Sequence, residues 1–498
     1  LKLIDLICAC KEIQFETIGS LDIEIFGITS NTKKIAEGYL FVALRGAKFD
    51  GHDFITEAIE KGAVAILGQS GSKFHLSLDN SFSSCFIACQ DPRGTYPKLC
   101  SVYYNKQPEM IAGITGTNGK SSVAEFTRQL WSFNSLSAAS LGTLGLVTEN
   151  FRQKTNLTTP DPAELFSLVK RLAESNITHL ALEASSHGLD QHRLDYLDIG
   201  VAAFTNLSRD HLDYHKNMRD YLSAKTLLFS DLLRNNGTAV INADDANYSH
   251  IISSLNSPKI SVIDYGARAK TLRLLERRVE LDRQIIDLEV FGKKRTVKLN
   301  LVGGFQVSNA LCALGIALAS GVDDDIGLEC LEKLKGVRGR LELAGKKRNG
   351  ASIYIDYAHT PDALKSALIA LRNHTTGRLK LVFGCGGERD IGKREEMGTI
   401  ASRFADEIII TDDNPRNEDP KAIRDQIVKF VSGATVIANR KEAIKNAVFN
   451  LGANDLLIIA GKGHEGEQQI GASSFPFDDA VVAKSIIENA NNLDNKIE

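Results

Sequence analysis

Apolar residues in this chain gather into short continuous runs separated by segments of helical spacing. Met110 to Ile114, His179 to Leu182 and Val201 to Phe204 are such runs, the pattern of parallel strands buried on both faces. Ser121 to Trp131 places apolar residues at helical spacing, and Gln306 to Ala319 predicts a strongly apolar helix stopped at Gly321. Residues 260–302 alternate apolar and polar and predict a small antiparallel addition. In the first hundred residues, strand-like runs at Tyr39 to Leu44 and Ala63 to Leu67 mix with helical ones. The polar stretch Gln90 to Lys98, with its proline and glycine, predicts a surface loop or linker.

Beyond residue 338 one rhythm repeats. Strand-like runs at Ile353 to Tyr357, Leu379 to Phe383, Glu407 to Thr411, Thr435 to Ala438 and Leu456 to Ala460 alternate with helical stretches. That order predicts a doubly wound, mostly parallel sheet, whose ligands bind beyond the carboxyl ends of the strands. The unusual polar clusters fall there: Asp356 with His359, Arg389, Asp413 to Arg416, and Lys462 to Glu465.

A chain of 498 residues exceeds one hydrophobic core. The boundaries above give an α/β protein of three domains. They are a small N-terminal α/β domain (1–103), a central domain with a parallel sheet (104–338) and a C-terminal Rossmann-like doubly wound sheet (339–498). The 43% apolar and 24% charged residues are ordinary for a globular protein, and a net charge of −3 argues against a general nucleic-acid or membrane-surface binder. Eight scattered cysteines with no CxxC pair point to buried thiols in a reducing compartment rather than zinc or disulfides. No cleavable signal and no apolar run of about 18 residues stands out, so the expected location is the cytoplasm, with no membrane insertion.

Chemistry enters at Gly113-Ile-Thr-Gly116-Thr117-Asn118-Gly119-Lys120-Ser121-Ser122, between a predicted strand and a helix. Glycines let backbone N–H groups close on phosphate oxygens, and a helix N-terminus adds positive potential. Lys120 would reach the outer phosphates and Ser121 would ligate magnesium. Ile114 stands where the strict pattern has glycine, so the loop is a variant, and the central domain reads as P-loop ATPase-like. Glu183, ending the next strand, can take the same magnesium. His211 lies just past the carboxyl end of the strand after that. Either residue alone reads equally well as a satisfied loop side chain; beside a phosphate loop they read as a site.

The strings Gly116-Thr-Asn-Gly-Lys120, Glu183-Ala-Ser-Ser-His-Gly188, Thr205-Asn-Leu-Ser-Arg-Asp-His-Leu-Asp-Tyr-His215, Tyr357-Ala-His-Thr-Pro361 and Gly461-Lys-Gly-His-Glu465 resemble the Mur ligases of peptidoglycan synthesis. The resemblance is to those adding the third stem-peptide residue to UDP-N-acetylmuramoyl-L-alanyl-D-glutamate, and it is weakest in the first hundred residues. It implies that Lys225 is carried as a carbamate, N6-carboxylysine, sharing a second Mg²⁺ with His211. By itself Lys225 reads as a solvated helix lysine. The resemblance also places Asn309 near adenine, Arg340 on the phosphates and Asp356 at the ribose. It puts Thr158, Thr159, Ser185, Gln191 and Arg193 on the UDP-linked substrate and Ser30 at uridine. Around Ala47 to Phe49 the chain departs from the family's residues.

Asp413-Asn414-Pro415-Arg416 alone would be a turn with an exposed arginine. An arginine held by a turn at a ligand-binding edge also suits bidentate capture of a carboxylate. In the family this motif marks members taking meso-diaminopimelate, which has a distal carboxylate that lysine lacks. Arg389, Gly461 and Glu465 match its remaining amino-acid contacts. The implied reaction passes the γ-phosphate of ATP to the D-glutamate carboxylate, with Lys120, Arg340 and two Mg²⁺ neutralising charge. The amine of diaminopimelate then attacks the acyl phosphate. A monomer that closes its third domain is expected. The alternatives are a lysine-adding Mur ligase, a folylpolyglutamate synthetase and, more distantly, a P-loop nucleotide switch.

Overall fold

The computed structural model describes residues 1–46, 49–72, 74–75, 84–212 and 214–494. They form two compact units, Leu1–Tyr265 with Cys312–Asp323, and Gly266–Leu311 with Asp324–Glu498. Ala47 and Lys48, where the sequence departs from the family's pattern, lie outside the described residues, as does Asp213.

The first unit holds two sheets. The smaller runs Glu16–Ile18, Cys85–Cys89, Ala63–Gln69, Tyr39–Val42, Gly27–Thr29, parallel except for its first member. The stretch expected as a loop from Gln90 is instead the start of a helix, Pro92–Tyr104, packed on helix Pro162–Glu174. Asp91 caps it by accepting from Arg93 N and Gly94 N, and Pro92 takes the first helical position. A second proline, Pro97, disguises the helix in sequence, while Tyr96, Leu99 and Cys100 bury its inner face.

In the larger sheet of this unit the order is Ser261–Gly266, Leu233–Asn242, Ile199–Phe204, Met110–Thr115, His179–Glu183, Ala138–Gly142. These pairs are parallel, and Gly145–Val147 and Arg152–Gln153 then continue antiparallel. The expectation for 260–302 is therefore corrected at its start. Ser261–Gly266 is a parallel strand with Ile263 and Tyr265 buried, and only the later strands are antiparallel. Met110–Thr115 is central, and the chain returns to opposite sides of it. The loops leaving Met110–Thr115, His179–Glu183 and Ile199–Phe204 thus share one edge at a switch in strand order, where such sheets bind ligands.

In the second unit the order is Glu342–Lys346, Ser352–Asp356, Leu456–Ala460, Leu379–Phe383, Glu407–Ile410, Thr435–Val436, parallel except for the first. Its period-two alternation serves two cores at once. Tyr354, Leu381, Phe383 and Ile458 pack on one face, and Ile353, Ile355, Val382 and Ile459 on the other. Leu272–Val279, Gln284–Val290 and Lys293–Leu299 form an antiparallel meander. Seven of the eight cysteines are buried and all are free. Among the described residues no helix is long and apolar enough to cross a membrane.

Candidate active site

In the first unit the phosphate loop is held open from outside. Gly116 has φ +140° and Gly119 φ +91°, and a Cβ on Gly116 would collide with the Thr205 hydroxyl. Thr117 N–H donates to the Asn206 carbonyl at 2.8 Å, and Asn118 N–H to Asn206 Oδ1 at 3.0 Å. The Asn118 carbonyl accepts from Thr205 Oγ1 (2.6 Å) and Asn206 Nδ2 (3.1 Å), while Ser208 N–H donates to Thr117 Oγ1 (3.0 Å). Lys120 Nζ donates to the Gly116 and Thr117 carbonyls, each at 2.8 Å. Ser121 and Ser122 lie buried in the first turn of helix Lys120–Phe133, which has no acidic residue there to offset its dipole. We predict that Gly116→Ala costs about 1–3 kcal/mol through strain and the Thr205 clash, and abolishes ATP-analogue binding. Denaturant unfolding and titration calorimetry check both, and wild-type values on either would refute it.

Three further groups stand beside this loop. Glu183 ends the strand paired with Met110–Thr115 and is buried. Its Oε1 accepts from Thr143 N–H (2.8 Å) and its Oε2 from Thr143 Oγ1 (3.3 Å). Gly142 leaves it room, since a Cβ there would strike the carboxylate. Lys225, in helix Met218–Leu227, is 1% exposed, far from a solvated helix lysine. Its Nζ donates to the Gly116 carbonyl at 2.8 Å and lies 4.3 Å from the centre of the Tyr221 ring. Burial first, then the charge of Lys120, pushes its amine well below the ordinary lysine value. His211 takes a left-handed backbone (φ +52°) and is partly exposed, its ring 6.1 Å from Tyr221 and 5.0 Å from His187. Tyr221 is thus a neighbour of both Lys225 and His211.

A connected polar network in the same unit contains the residues matched to the UDP-linked substrate. Thr158 Oγ1 meets Thr143 Oγ1 at 3.1 Å, joining it to Glu183. Thr159 Oγ1 donates to the Glu183 carbonyl (2.8 Å) and meets Ser185 Oγ (2.9 Å), which caps Gly188 N–H. Arg193 donates to the Thr159 carbonyl (2.7 Å) and Gln191 Oε1 (2.6 Å), and burial lowers its guanidinium from the ordinary value. Ser30 donates to Asp161 Oδ2 at 2.8 Å, and buried Tyr96 donates to Asp161 Oδ1 at 2.6 Å. Asp161, which also caps helix Pro162–Glu174, therefore ties Ser30 to the segment carrying Thr158 and Thr159.

The second unit brings together two groups of its own. Asn309 Nδ2 donates to Gln306 Oε1 (3.0 Å), and Gln306 Nε2 to the Arg340 carbonyl (3.1 Å). Arg340 stacks 4.6 Å from the Tyr357 ring centre. Buried Asp356 accepts from Leu341 N–H (2.7 Å) and Ala358 N–H (2.8 Å), and burial raises its carboxyl above the usual range.

The other group is the loop Asp413–Arg416. Asn414 Nδ2 donates to Glu465 Oε2 at 2.9 Å, and Gly461 (φ +113°) passes so close to Asp413 Oδ2 that a Cβ would sit 2.6 Å from it. Pro415 is buried, Arg416 half-buried and Arg389 exposed. Arg416 Nη1 donates to the Gly387 carbonyl at 2.7 Å.

Sequence reasoning overlooked Thr143 and gave no bracing role to several residues that stood inside its motifs. Thr205, Asn206 and Ser208 brace the phosphate loop, Thr143 orients Glu183, and Lys462 anchors Asn414. Their partners become apparent only once strand order is known.

A P-loop on a switched parallel sheet marks a nucleotide-binding protein, and comparison with known proteins narrows the class to ATP-dependent ligases. The Mur ligase family catalytic domain matches residues 24–115, the Mur ligase middle domain 114–317 and the Mur ligase glutamate ligase domain 339–463. The UDP-N-acetylmuramoyl-L-alanyl-D-glutamate–2,6-diaminopimelate ligase of Zymomonas mobilis is 44% identical over 470 residues, 94% of this chain and 95% of that one. The ligase of the same name from Agrobacterium fabrum is 44% identical over 479 residues, 96% of each. A solved structure of a ligase so named, 31% identical, superposes with a TM-score of 0.70 over 98% of this chain and 99% of that one. The chain belongs to the Mur ligase family.

Proposed function

We propose that the protein adds meso-diaminopimelate to UDP-N-acetylmuramoyl-L-alanyl-D-glutamate, with ATP converted to ADP and phosphate. One observation carries the choice of amino acid. Asn414 fastens the Asp-Asn-Pro-Arg turn to Glu465, so a guanidinium suited to a carboxylate and a carboxylate suited to an ammonium belong to one cluster.

In the first step a D-glutamate carboxylate oxygen attacks the γ-phosphorus, and ADP leaves. Backbone N–H groups of Gly119 to Ser122 and the Lys120 ammonium hold the phosphates, Lys120 exchanging its two loop carbonyls for phosphate oxygens. Asn309, Arg340 and Asp356 serve adenine, phosphate and ribose. In the second step the amine of diaminopimelate attacks the acyl carbon, a proton is lost from nitrogen, and phosphate departs. Arg193, Gln191, Ser185, Thr158, Thr159 and Ser30 hold the UDP-linked substrate. Arg389, Asp413 to Arg416, Gly461 and Glu465 hold the amino acid.

The donor set fits magnesium. Ser121 hydroxyl and Glu183 carboxylate are hard oxygen ligands, His211 adds a ring nitrogen, and the buried Lys225 amine, whose charged form burial disfavours, can add CO₂ to become an oxygen donor. Two Mg²⁺ bound there would supply positive charge to phosphate oxygens. ATP and a UDP-linked substrate fit a reaction carried out in the cytoplasm, and the proposed enzyme acts as a monomer.

Substrate labelled with ¹⁸O in the D-glutamate carboxylate tests the chemistry. One labelled oxygen should appear in the released phosphate, and phosphate release should need both the UDP-dipeptide and the amino acid. Unlabelled phosphate, or release independent of both, rejects the acyl-phosphate route.

A further inference from the structure

Lys462 has no exposed surface, yet its ammonium is saturated. Nζ donates to Asn414 Oδ1 at 3.0 Å, to Glu465 Oε2 at 3.0 Å and to the Glu467 carbonyl at 2.6 Å. Three acceptors match the three N–H donors of an ammonium. A cation this deep is costly unless an opposite charge meets it, and Glu465 is the carboxylate that does.

The consequence falls on Glu465. Its Oε2 already takes both Lys462 and Asn414 Nδ2, while its side chain keeps 33% exposure. Its charge is therefore met inside the protein before any ligand arrives. The Asn414 side-chain oxygen has no lone pair to spare either, since Oδ1 accepts from Lys462 and from the Gln469 N–H. Asn414 thus links two loops, with Lys462 as the anchor of both.

Counting the cluster's charges shows what this does. Arg416 and Lys462 set two cations against Asp413 and Glu465; without Lys462 the carboxylates would be in excess. A side chain ending in a carboxylate and an ammonium together brings no net charge to such a pocket. One ending in a lone ammonium meets the Arg416 guanidinium and a carboxylate that is already offset.

We propose that Lys462 is a specificity-determining positioning residue. It holds Asn414 and Glu465 in register and cancels the charge of Glu465, so that the pocket takes a zwitterionic distal centre and rejects an unaccompanied ammonium. This rests on reading the cluster as the amino-acid site.

The test is the ratio of kcat/KM for meso-diaminopimelate to that for L-lysine, with ATP and UDP-dipeptide saturating. Lys462→Gln, which keeps hydrogen bonding without charge, should lower the ratio at least about tenfold, the scale of one charge interaction at a partly buried site. KM for ATP should not move. Lys462→Arg, which keeps the charge, should retain most of the ratio. A purely architectural lysine would lower both efficiencies by one factor, so an unchanged ratio in Lys462→Gln overturns the proposal.

Should that variant not fold, competition on the wild-type enzyme decides. Norleucine, lysine's uncharged counterpart, should inhibit at least as well as lysine; tighter inhibition by lysine would show that Glu465 is not offset. A wild-type enzyme with no preference for diaminopimelate would instead reject the proposed function.

Discussion

Lys225→Ala should lower kcat by about 10²–10³-fold or more, the effect of losing a group that stabilises developing charge, with little change in KM. The expectation rests on where this lysine sits. Nearly inaccessible to water and beside Lys120, it shares the Gly116 carbonyl with that second lysine. Burial penalises the charged form of Lys225 and the neighbouring Lys120 charge adds to it, so this amine gives up its proton more readily than an ordinary lysine. A neutral amine adds CO₂: an N–C bond forms, one proton is released, and a potential cation becomes an anion with two oxygen donors.

Wild-type enzyme stripped of bicarbonate should therefore lose activity and regain it when bicarbonate returns. Lys225→Ala should ignore bicarbonate but recover in part with short carboxylic acids that fill the space. ¹³C-bicarbonate should give a protein-bound carbamate resonance in the wild type alone. Activity indifferent to exhaustive bicarbonate removal, with no such resonance, would sink the assignment.

Stability carries the same signature. The folded-state value lies below the unfolded 10.5, so between the two the unfolded chain binds more protons and stability rises with pH. The penalty is greatest below the folded value and gone above about 10.5. In bicarbonate-free buffer Lys225→Met should flatten that slope.

What could be read from the sequence and what could not divide along a physical line. The phosphate loop is contiguous, so its glycines, lysine and serines announce themselves in one string. Fully buried strands such as Met110–Thr115 and Leu456–Ala460 are apolar throughout, and their run length is their signal. The helix at Pro92 had the opposite fate: its Asp-Pro start is an ordinary cap, but Gly94 and Pro97 in the following turn outweigh it in any local reading.

Partners across strands were beyond reach for another reason. Thr205 and Asn206 brace Asn118 because Ile199–Phe204 lies beside Met110–Thr115, a neighbourhood created by strand order and not by sequence distance. Thr143 similarly reaches Glu183 across forty positions without belonging to a motif. Lys225 shows the limit most clearly. A lysine in a polar helix looks solvated until the sheet it leans on is known.

Arg416→Ala should lower kcat/KM for meso-diaminopimelate by roughly 10–150-fold, equivalent to about 1.5–3 kcal/mol for a charge-assisted hydrogen bond, and raise lysine turnover, since a guanidinium that repels its ammonium is gone. The arginine is held by its backbone before any ligand arrives. Its N–H donates to the Gln469 carbonyl (3.2 Å), its carbonyl accepts from Gly471 N–H (2.7 Å), and its φ is +53°. Alanine is no worse than arginine at that dihedral, so the substitution removes the side chain without adding strain. One guanidinium nitrogen is fixed on the Gly387 carbonyl, which sets the plane and leaves the rest of the fork to meet a carboxylate in two parallel bonds. Arg416→Lys keeps the charge and loses the fork, and should fall between the two. Steady-state kinetics with each amino acid checks the series. Equal losses on diaminopimelate and lysine would mean that Arg416 supports the loop and does not read the distal carboxylate.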